Sequence, residues 1–309
     1  MICLNEIPVR ERPSVVTLGK FDGLHRGHQS LLKKVGDLSA DNGIVFVMDA
    51  STSGLLGRRE RTEAMAATGL SAMLELPLTR EFMSMTAEDF VRQVLVGRLK
   101  ARAVVVGENY RFGSGRAGDL ALLEKMGEEL GFETYGLPMV TEKNERISST
   151  AIRAALSEGR MEEVNDLLGY TFSVRGEIVH GAHLGQSIGV PTVNILPGED
   201  KLLPPNGVYF SLVRIEGRTY RGMTNIGFKP TVQGGFKGVE TYLFDCSKDL
   251  YGKEETVFLL SFSRPEKNFG SVAALTERLA EDKRETAEYF KKNPDIRAIS
   301  LDEALGSVL

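Results

Sequence analysis

The first half of the chain alternates short apolar runs with amphipathic stretches. SVVTLG leads through a glycine-rich turn into HQSLLKKVGDLSADNG. There Leu31, Leu32, Val35 and Leu38 share one helical face and Gly43 is placed as the stop. IVFVM follows as a second buried strand, completing a unit of β–α–β size. TAEDFVRQVLVGRL predicts a helix with Thr86 as N-cap and Asp89 in a capping-box position. RAVVVG predicts a strand, DLALLEKMGEELG a helix closed by Gly131, and FETYGLP another strand. Apolar strands separated by amphipathic helices imply a parallel sheet covered on both faces, an α/β fold.

After AIRAALSEGRMEEVNDLLG the pattern changes. TFSVRGEIVHG, GVYFSLVRI, RTYRGMTNIG, VETYLFD and ETVFLLSFS are strand candidates in succession, joined by glycine-bearing connections. Glu216-Gly217 predicts a tight hairpin between two of them. Such a series implies a closed antiparallel barrel or a sandwich. SVAALTERLAEDKRETAEYFKKN predicts a last helix that ends before Pro294. The boundary is placed at Gly169, giving domains 1–169 and 170–309.

A length of 309 residues favours two domains over one core. The net charge of −4 argues against a protein that coats nucleic acid or an anionic membrane. Cys3 and Cys246, the only cysteines, make neither a CxxC pair nor a disulfide framework and read as free thiols in a reducing compartment. The N-terminus lacks an apolar signal core, and no apolar run approaches the ~20 residues of a membrane helix. The expectation is a soluble, cytoplasmic protein with no nucleic-acid or membrane partner. Oligomeric state is not set by the sequence.

Three stretches carry candidate chemistry. KFDGLHRGHQ places His25 and His28 on a first helical turn straight after a strand, where free N–H groups and the helix dipole favour anions. Gly23 and Gly27 allow close backbone approach to a ligand. Lone histidines beside a turn are usually surface residues, but a His-x-Gly-His frame at this junction points to phosphate chemistry, both rings able to donate hydrogen bonds as charge develops. No neighbouring cysteine or carboxylate cluster completes a zinc shell. GAHLGQSIGVPTVN combines three glycines, suited to a loop over phosphates, with Thr192 and Asn194, whose hard oxygens suit Mg²⁺. Glu240 sits in an otherwise strand-like run. It either faces solvent or points inward as a general base for an alcohol nucleophile.

The His-x-Gly-His frame resembles the signature of the nucleotidyltransferase superfamily. VVGENYRFGSGRAGD and RISSTAIRAAL are similar to segments of the adenylyltransferase module of prokaryotic bifunctional riboflavin kinase/FAD synthetases. In the second half the glycine-rich PTVN segment, LLPPNGVY, NIGFKPTV, ETYLFD with DLYG, and RPEKNFGSVAAL resemble the riboflavin kinase module of the same family. The matches cover almost the whole chain in family order.

The resemblance implies a Rossmann-like nucleotidyltransferase domain followed by an antiparallel β-barrel with a terminal helix. It implies ATP as co-substrate, Mg²⁺ as cofactor, and riboflavin and FMN as substrates. His25 and His28 would stabilise charge on the α-phosphate of ATP as the FMN phosphate attacks, with no covalent enzyme intermediate. Gly19, Phe21, Asp22, Gly27, Asn109, Ser149, Thr150 and Arg153 would hold that nucleotide. In the kinase module Gly185 and Gly189 would hold ATP, Thr192 and Asn194 the Mg²⁺, Glu240 would take the proton of the ribityl hydroxyl, and Arg264 would contact the flavin.

The chain departs from the family pattern at three places. VFVMDASTSG stands where members carry a phenylalanine and a Pro-His-Pro segment, Gln186 where a basic residue is common, and Val193 where alanine is usual. The Ala→Val change adds volume and is expected to press on the neighbouring metal ligands. Beside the bifunctional enzyme stand three other readings: a riboflavin kinase with a weakened adenylyltransferase module, a flavin- or nucleotide-binding regulator, and a nucleotidyltransferase for another phosphorylated precursor.

Overall fold

The structure, a computed structural model, describes residues 1–4, 6–39, 42–48, 52–76, 78–142, 145–179, 192–228, 237–246 and 250–306. The chain forms two compact units. One comprises Met1–Ser149 with the C-terminal segment from Leu301, and the other Thr150–Ser300.

The first unit is built on a parallel six-stranded sheet. Its strands are β1 (Ile2–Leu4), β2 (Ser14–Gly19), β3 (Gly43–Val47), β4 (Ala72–Glu75), β5 (Ala101–Gly107) and β6 (Glu133–Leu137), in the order β1-β4-β3-β2-β5-β6. Alternate residues of the central strands feed two separate cores. Val16, Leu18, Ile44, Phe46, Val104 and Val106 pack with Phe90, Val94 and Leu123 on one face. Val15, Val45, Val47 and Val105 pack with Leu31, Leu32 and Val35 of α1 (Arg26–Ser39) and Met65 of α2 (Arg58–Ala67) on the other. Both faces are covered, as continuous apolar strands require.

Local chemistry explains most boundaries. Thr86 caps the helix that opens at Ala87, its hydroxyl accepting from Asp89 N at 3.1 Å. Asp119 caps α5 (Leu120–Leu130, numbered after the short helices α3, Arg80–Ser84, and α4, Ala87–Asp89), and Gly131 ends it at φ 80°. Gly43 differs from expectation. It opens β3 instead of stopping α1, and a Cβ there would lie 2.6 Å from Leu70 Cδ2 and 2.9 Å from Val35 Cγ1. Its glycine serves close packing of strand on helix.

The second unit begins at the second residue of α6 (Ser149–Ser157), and there α7 (Met161–Leu168) precedes a closed antiparallel barrel. The strands are β9 (Ser173–Val179), β10 (Thr192–Ile195), β11 (Gly207–Ile215), β12 (Arg218–Phe228), β13 (Lys237–Leu243) and β14 (Glu254–Pro265). A small hairpin of the first unit supplies β7 (Thr141–Glu142) and β8 (Glu145–Arg146). The barrel order is β10-β13-β12-β11-β14-β9, with β9 closing on β10. Of the two antiparallel architectures, closure selects the barrel. Glu216 (φ 48°) and Gly217 (φ 77°) form the tight turn between β11 and β12, both central residues at positive φ as a primed turn demands. The helix α8 (Val272–Lys292) is capped by Ser271 and covers Leu212, Phe258 and Leu260 with Phe290.

The bore holds a polar ladder. Ser211 and Thr224 hydroxyls lie 2.7 Å apart and those of Thr224 and Thr241 2.9 Å apart, all three residues fully buried. Glu255 at one end of β14 is different. It is buried, and among the described residues neither carboxyl oxygen has a hydrogen-bond partner.

The last described helix, α9 (Leu301–Gly306), returns to the first unit, where Leu305 is fully buried beside Met65 and Leu31. Leu305→Ala should therefore destabilise that unit by about 2–5 kcal/mol, read by denaturant unfolding. Glu255 gives a second expectation. Burial pushes its carboxyl up to about 8. The charged residues of the adjoining strands turn outward: Arg175 pairs with Glu254, Lys253 with Glu216, Arg214 lies over Phe258, and Glu177 is exposed. The folded chain holds this proton where the unfolded chain has lost it, so stability falls as pH rises from about 4.5 to 8. Glu255→Leu should remove that slope and stabilise the barrel at pH 8 by about 4 kcal/mol. An unchanged slope in the variant would show that Glu255 is ionised and solvated.

Candidate active sites

The strand order of the first unit reverses at β2. From β2 the chain runs outward through β3 and β4, then crosses to β5 on the other side. In open parallel sheets ligands bind in the crevice at such a switch point, beyond the carboxyl ends of the strands. The turn after β2 carries Phe21 (φ 52°), Gly23 (φ 82°) and Leu24 (φ 42°), two of them non-glycine residues in a conformation that costs energy. Burial of both side chains holds the turn in place. It delivers His25 as the residue whose carbonyl accepts from His28 N at 2.7 Å and Gln29 N at 3.0 Å, opening α1.

The two imidazoles stack with centroids 3.8 Å apart, and Phe21 lies 5.0 Å from the His28 ring. Gly27 is needed beneath them, since a Cβ would come within 3.2 Å of the His25 ring. Gly19 is equally close to the Phe21 ring, at 3.1 Å. Both histidine Nδ1 atoms are buried, and among the described residues neither has a hydrogen-bond partner. Burial lowers His25 to about 4, and burial with repulsion from His25 lowers His28 well below its ordinary value. Both rings are neutral at rest, with polar atoms that an incoming anion would satisfy.

The other expected residues of this site divide by role. Asp22 is buried and its carboxylate accepts from Leu55 N at 2.7 Å, while its carbonyl accepts from the Ser149 hydroxyl at 2.9 Å. It ties together the segment around Leu55 and the start of α6. Asn109 is exposed on the turn after β5, the strand beside β2. Thr150 is exposed and Arg153 half-buried further along α6. Tyr110, next to Asn109, was not singled out in the sequence. Its hydroxyl is buried, has no hydrogen-bond partner among the described residues, and is shifted up by desolvation. The GENYRFG motif contained the signal, since a tyrosine buried in an aromatic stack with Phe112 still has to place its hydroxyl.

On the barrel, β10 is paired with β13 so that Asn194 stands opposite Glu240 and Val193 opposite Thr241. Thr241 is in the bore, so Thr192, Asn194 and Glu240 face outward together. Thr192 Oγ1 donates to Glu240 Oε1 at 2.5 Å. Of the two placements left open for Glu240, the structure takes the outer face. Val193 points away from the candidate metal ligands, so its added volume falls on the bore side and not between them. Among the described residues no group of three or more histidine, cysteine or carboxylate side chains could hold a metal. The Thr192 hydroxyl and Asn194 carbonyl oxygen, beside one carboxylate, are a hard-oxygen set that fits Mg²⁺ keeping several waters. Arg264 on β14 forks onto buried Asp282 of α8, Nε to Oδ1 at 2.7 Å and Nη2 to Oδ2 at 2.5 Å. Gly185, Gln186 and Gly189 lie outside the described residues, as do Asp49, Ala50 and Ser51 of the departing MDASTSG segment.

Comparison with known proteins finds two family models along the chain. Residues 7–151 match the FAD synthetase family model and residues 168–290 the riboflavin kinase model. Bifunctional riboflavin kinase/FMN adenylyltransferase from Escherichia coli K12 is 34% identical over 290 residues, covering 89% of this chain and 92% of that one. The protein of the same name from Listeria monocytogenes is 33% identical, covering 91% and 94%. The chain belongs to the bifunctional riboflavin kinase/FMN adenylyltransferase family. A crystal structure from Streptococcus pneumoniae, described as a macrolide-efflux protein, has a TM-score of 0.81 at 29% identity, covering 93% of this chain and 98% of that one. Among the described residues no helix of the present chain is long and apolar enough to cross a membrane.

Within this family frame, the FAD synthetase match carries the stacked histidines and the riboflavin kinase match carries the Thr192, Asn194 and Glu240 cluster. The histidine environment has a measurable consequence. Folded His25 binds its proton more weakly than unfolded histidine, so its contribution is complete above about pH 6.5 and lost as pH falls toward about 4. The parallel-sheet unit should lose about 2 kcal/mol between pH 7 and pH 5 from this residue, and His25→Asn should lack that loss. An NMR titration placing His25 near 6.5 would contradict it.

Proposed function

We propose that the chain phosphorylates riboflavin with ATP to give FMN at the barrel, and adenylylates FMN with a second ATP at the parallel-sheet site. The observation that carries this reading is the presence of two chemically distinct constellations in one chain, in the order of its family. Stacked imidazoles, His25 buried and His28 half-buried, sit at a sheet switch point, and a Thr–Asn–Glu cluster sits on adjacent strands of a closed barrel.

In the kinase step Glu240 accepts the proton of the terminal ribityl hydroxyl as its oxygen bonds to the γ-phosphorus. The bond from that phosphorus to the β-bridging oxygen breaks, and ADP leaves. Thr192 and Asn194 hold Mg²⁺ through oxygen lone pairs. The Thr192 proton is already directed to Glu240, which leaves the hydroxyl oxygen free to face a cation. Mg²⁺ when bound neutralises charge on the ATP phosphates, the main requirement of phosphoryl transfer.

In the adenylyl step a phosphate oxygen of FMN bonds to the α-phosphorus of ATP and the bond to pyrophosphate breaks. His25 and His28, desolvated and fixed by their stacking, donate N–H groups to the oxygens on which charge accumulates. Preorganised donors in a dry site act most strongly there. A neighbouring phosphate also raises imidazole basicity, so a ring that is neutral at rest gains a proton as the charge grows. Gly19, Phe21 and Gly27 shape the turn, Asp22 and Ser149 fix it, and Asn109, Thr150 and Arg153 contact the nucleotide.

Incubation with riboflavin, ATP and Mg²⁺, followed by chromatography, should yield FMN and then FAD. His28→Ala should lower FAD formation from FMN about 10²–10⁴-fold while FMN formation persists, and Glu240→Gln should do the reverse. Equal loss of both activities in either variant would refute the division into two sites. FMN accumulating without FAD would make the chain a kinase with an inactive adenylyltransferase module.

A further inference from the structure

The barrel register extends the kinase cluster beyond the residues assigned so far. Glu240 is opposite Asn194 on β10 and, on its other side, opposite Asn225 on β12. Asn225 is in turn opposite Val208 on β11, and Val208 opposite Arg264 on β14. Asn194, Glu240, Asn225, Val208 and Arg264 therefore form one transverse row. Directly opposed residues point to the same face with Cβ atoms about 5 Å apart, so Asn225 flanks Glu240 as closely as Asn194 does.

The orientation of Asn225 is fixed by its neighbours in sequence. Thr224 and Ile226 are fully buried and face the bore, so Asn225 faces outward, where it is half-buried. The hydroxyl ladder from Ser211 through Thr224 to Thr241 lies directly under Asn225 and Glu240 and locks β12 to β13. Among the described residues the Asn225 carboxamide has no hydrogen-bond partner. A half-buried amide held rigidly beside a general base, with its donors and acceptor unspent, is poorly explained as a structural residue.

Building on the kinase function proposed above, we infer that Asn225 contacts the acceptor substrate and binds the ribityl hydroxyl next to the one that is phosphorylated. Two observations favour the acceptor over the metal. Glu240 stands between Asn225 and the metal-ligand strand β10, and the row continues from Asn225 toward Arg264, away from Thr192 and Asn194. A carboxamide both donates and accepts, as a hydroxyl does, and vicinal hydroxyls would engage the neighbouring carboxylate and carboxamide together. The group orients the nucleophile. It takes no proton.

The test is steady-state kinetics of the full chain carrying Asn225→Ala or Asn225→Ser, with riboflavin, ATP and Mg²⁺ varied separately. The expected result for Asn225→Ala is a fall in kcat/KM for riboflavin of roughly tenfold or more, with the KM for ATP, the Mg²⁺ dependence and the conversion of supplied FMN to FAD unchanged. Asn225→Ser, which keeps a hydroxyl, should recover part of the loss. A riboflavin analogue deoxygenated at the hydroxyl next to the terminal one separates contact from mere structural support. The wild type should discriminate against it, and Asn225→Ala should show little further loss, since the two deletions remove the same bond. Full additivity of the two losses, a loss expressed in ATP or Mg²⁺ dependence, or an unchanged riboflavin kcat/KM would each overturn the assignment. A wild-type chain that makes no FMN would instead overturn the kinase reading on which it rests.

Discussion

The chemistry of the barrel depends on one constraint, the register of β13 between β10 and β12. Side chains alternate strictly along a strand, so a slip of one residue would carry Glu240 into the bore and bring Thr241 out. Two features oppose the slip. Buried hydroxyls at Ser211, Thr224 and Thr241 satisfy one another only in the observed register. Gly222 leaves just enough room beneath them, for a Cβ would stand 2.6 Å from Ser211 Oγ and 2.9 Å from Thr241 Cγ2. The polar ladder thus fixes the register that sets Asn194, Glu240 and Asn225, the row proposed to act in the kinase step, on one face. A purely apolar bore would pack as well but would tolerate sliding more readily, because aliphatic contacts have little directionality.

The two units use burial in opposite ways. In the parallel-sheet unit, desolvation keeps His25 and His28 neutral, so in the proposed site the histidine pair itself carries no fixed positive charge and would meet an anion through N–H donors and the opening of α1. Such donors are worth most where water is excluded, which is why the strained turn at Phe21 and Leu24 is buried on both sides. In the barrel, desolvation at Glu255 serves no visible chemistry. The carboxyl lies away from the Thr192, Asn194 and Glu240 row, and its neutral form is simply the cheaper state in a dry bore.

How far the sequence could be read follows the range of the forces involved. Local signals held: the apolar run of β2, the face of α1, the cap Thr86, and the hairpin at Glu216-Gly217 are each decided within a few residues. The His-x-Gly-His frame was legible because a strand-to-helix junction is itself local. No element was predicted for PTVN, and Thr192–Ile195 is a strand, since four residues carry too little alternation to announce one. Gly43 was misplaced because its role is a contact with Leu70, distant in sequence. The outward turn of Glu240, the bore-side position of Val193 and the return of α9 to the first unit depend on pairings across many residues, which no window of the sequence contains.

Arg264 shows why such pairings matter for assigning roles. Its fork is committed to Asp282, a carboxylate only 1% exposed, and Arg278 reaches one of the same oxygens, Oδ1. Removing Arg264 would leave that carboxylate with one cation where it had two, inside the packing that seats α8 on β14, and such losses are costly. A fall in activity on replacing Arg264 would therefore mix any lost flavin contact with a displaced helix. The resemblance that marks Arg264 as flavin-binding and the geometry that makes it a clamp are compatible only if the flavin meets the guanidinium away from its edge on Asp282. Residues of the row whose polar groups are unspent carry no such ambiguity, because deleting them leaves no buried partner behind. The recognition of the acceptor is thus best resolved from the middle of the row outward, with Arg264 interpreted last.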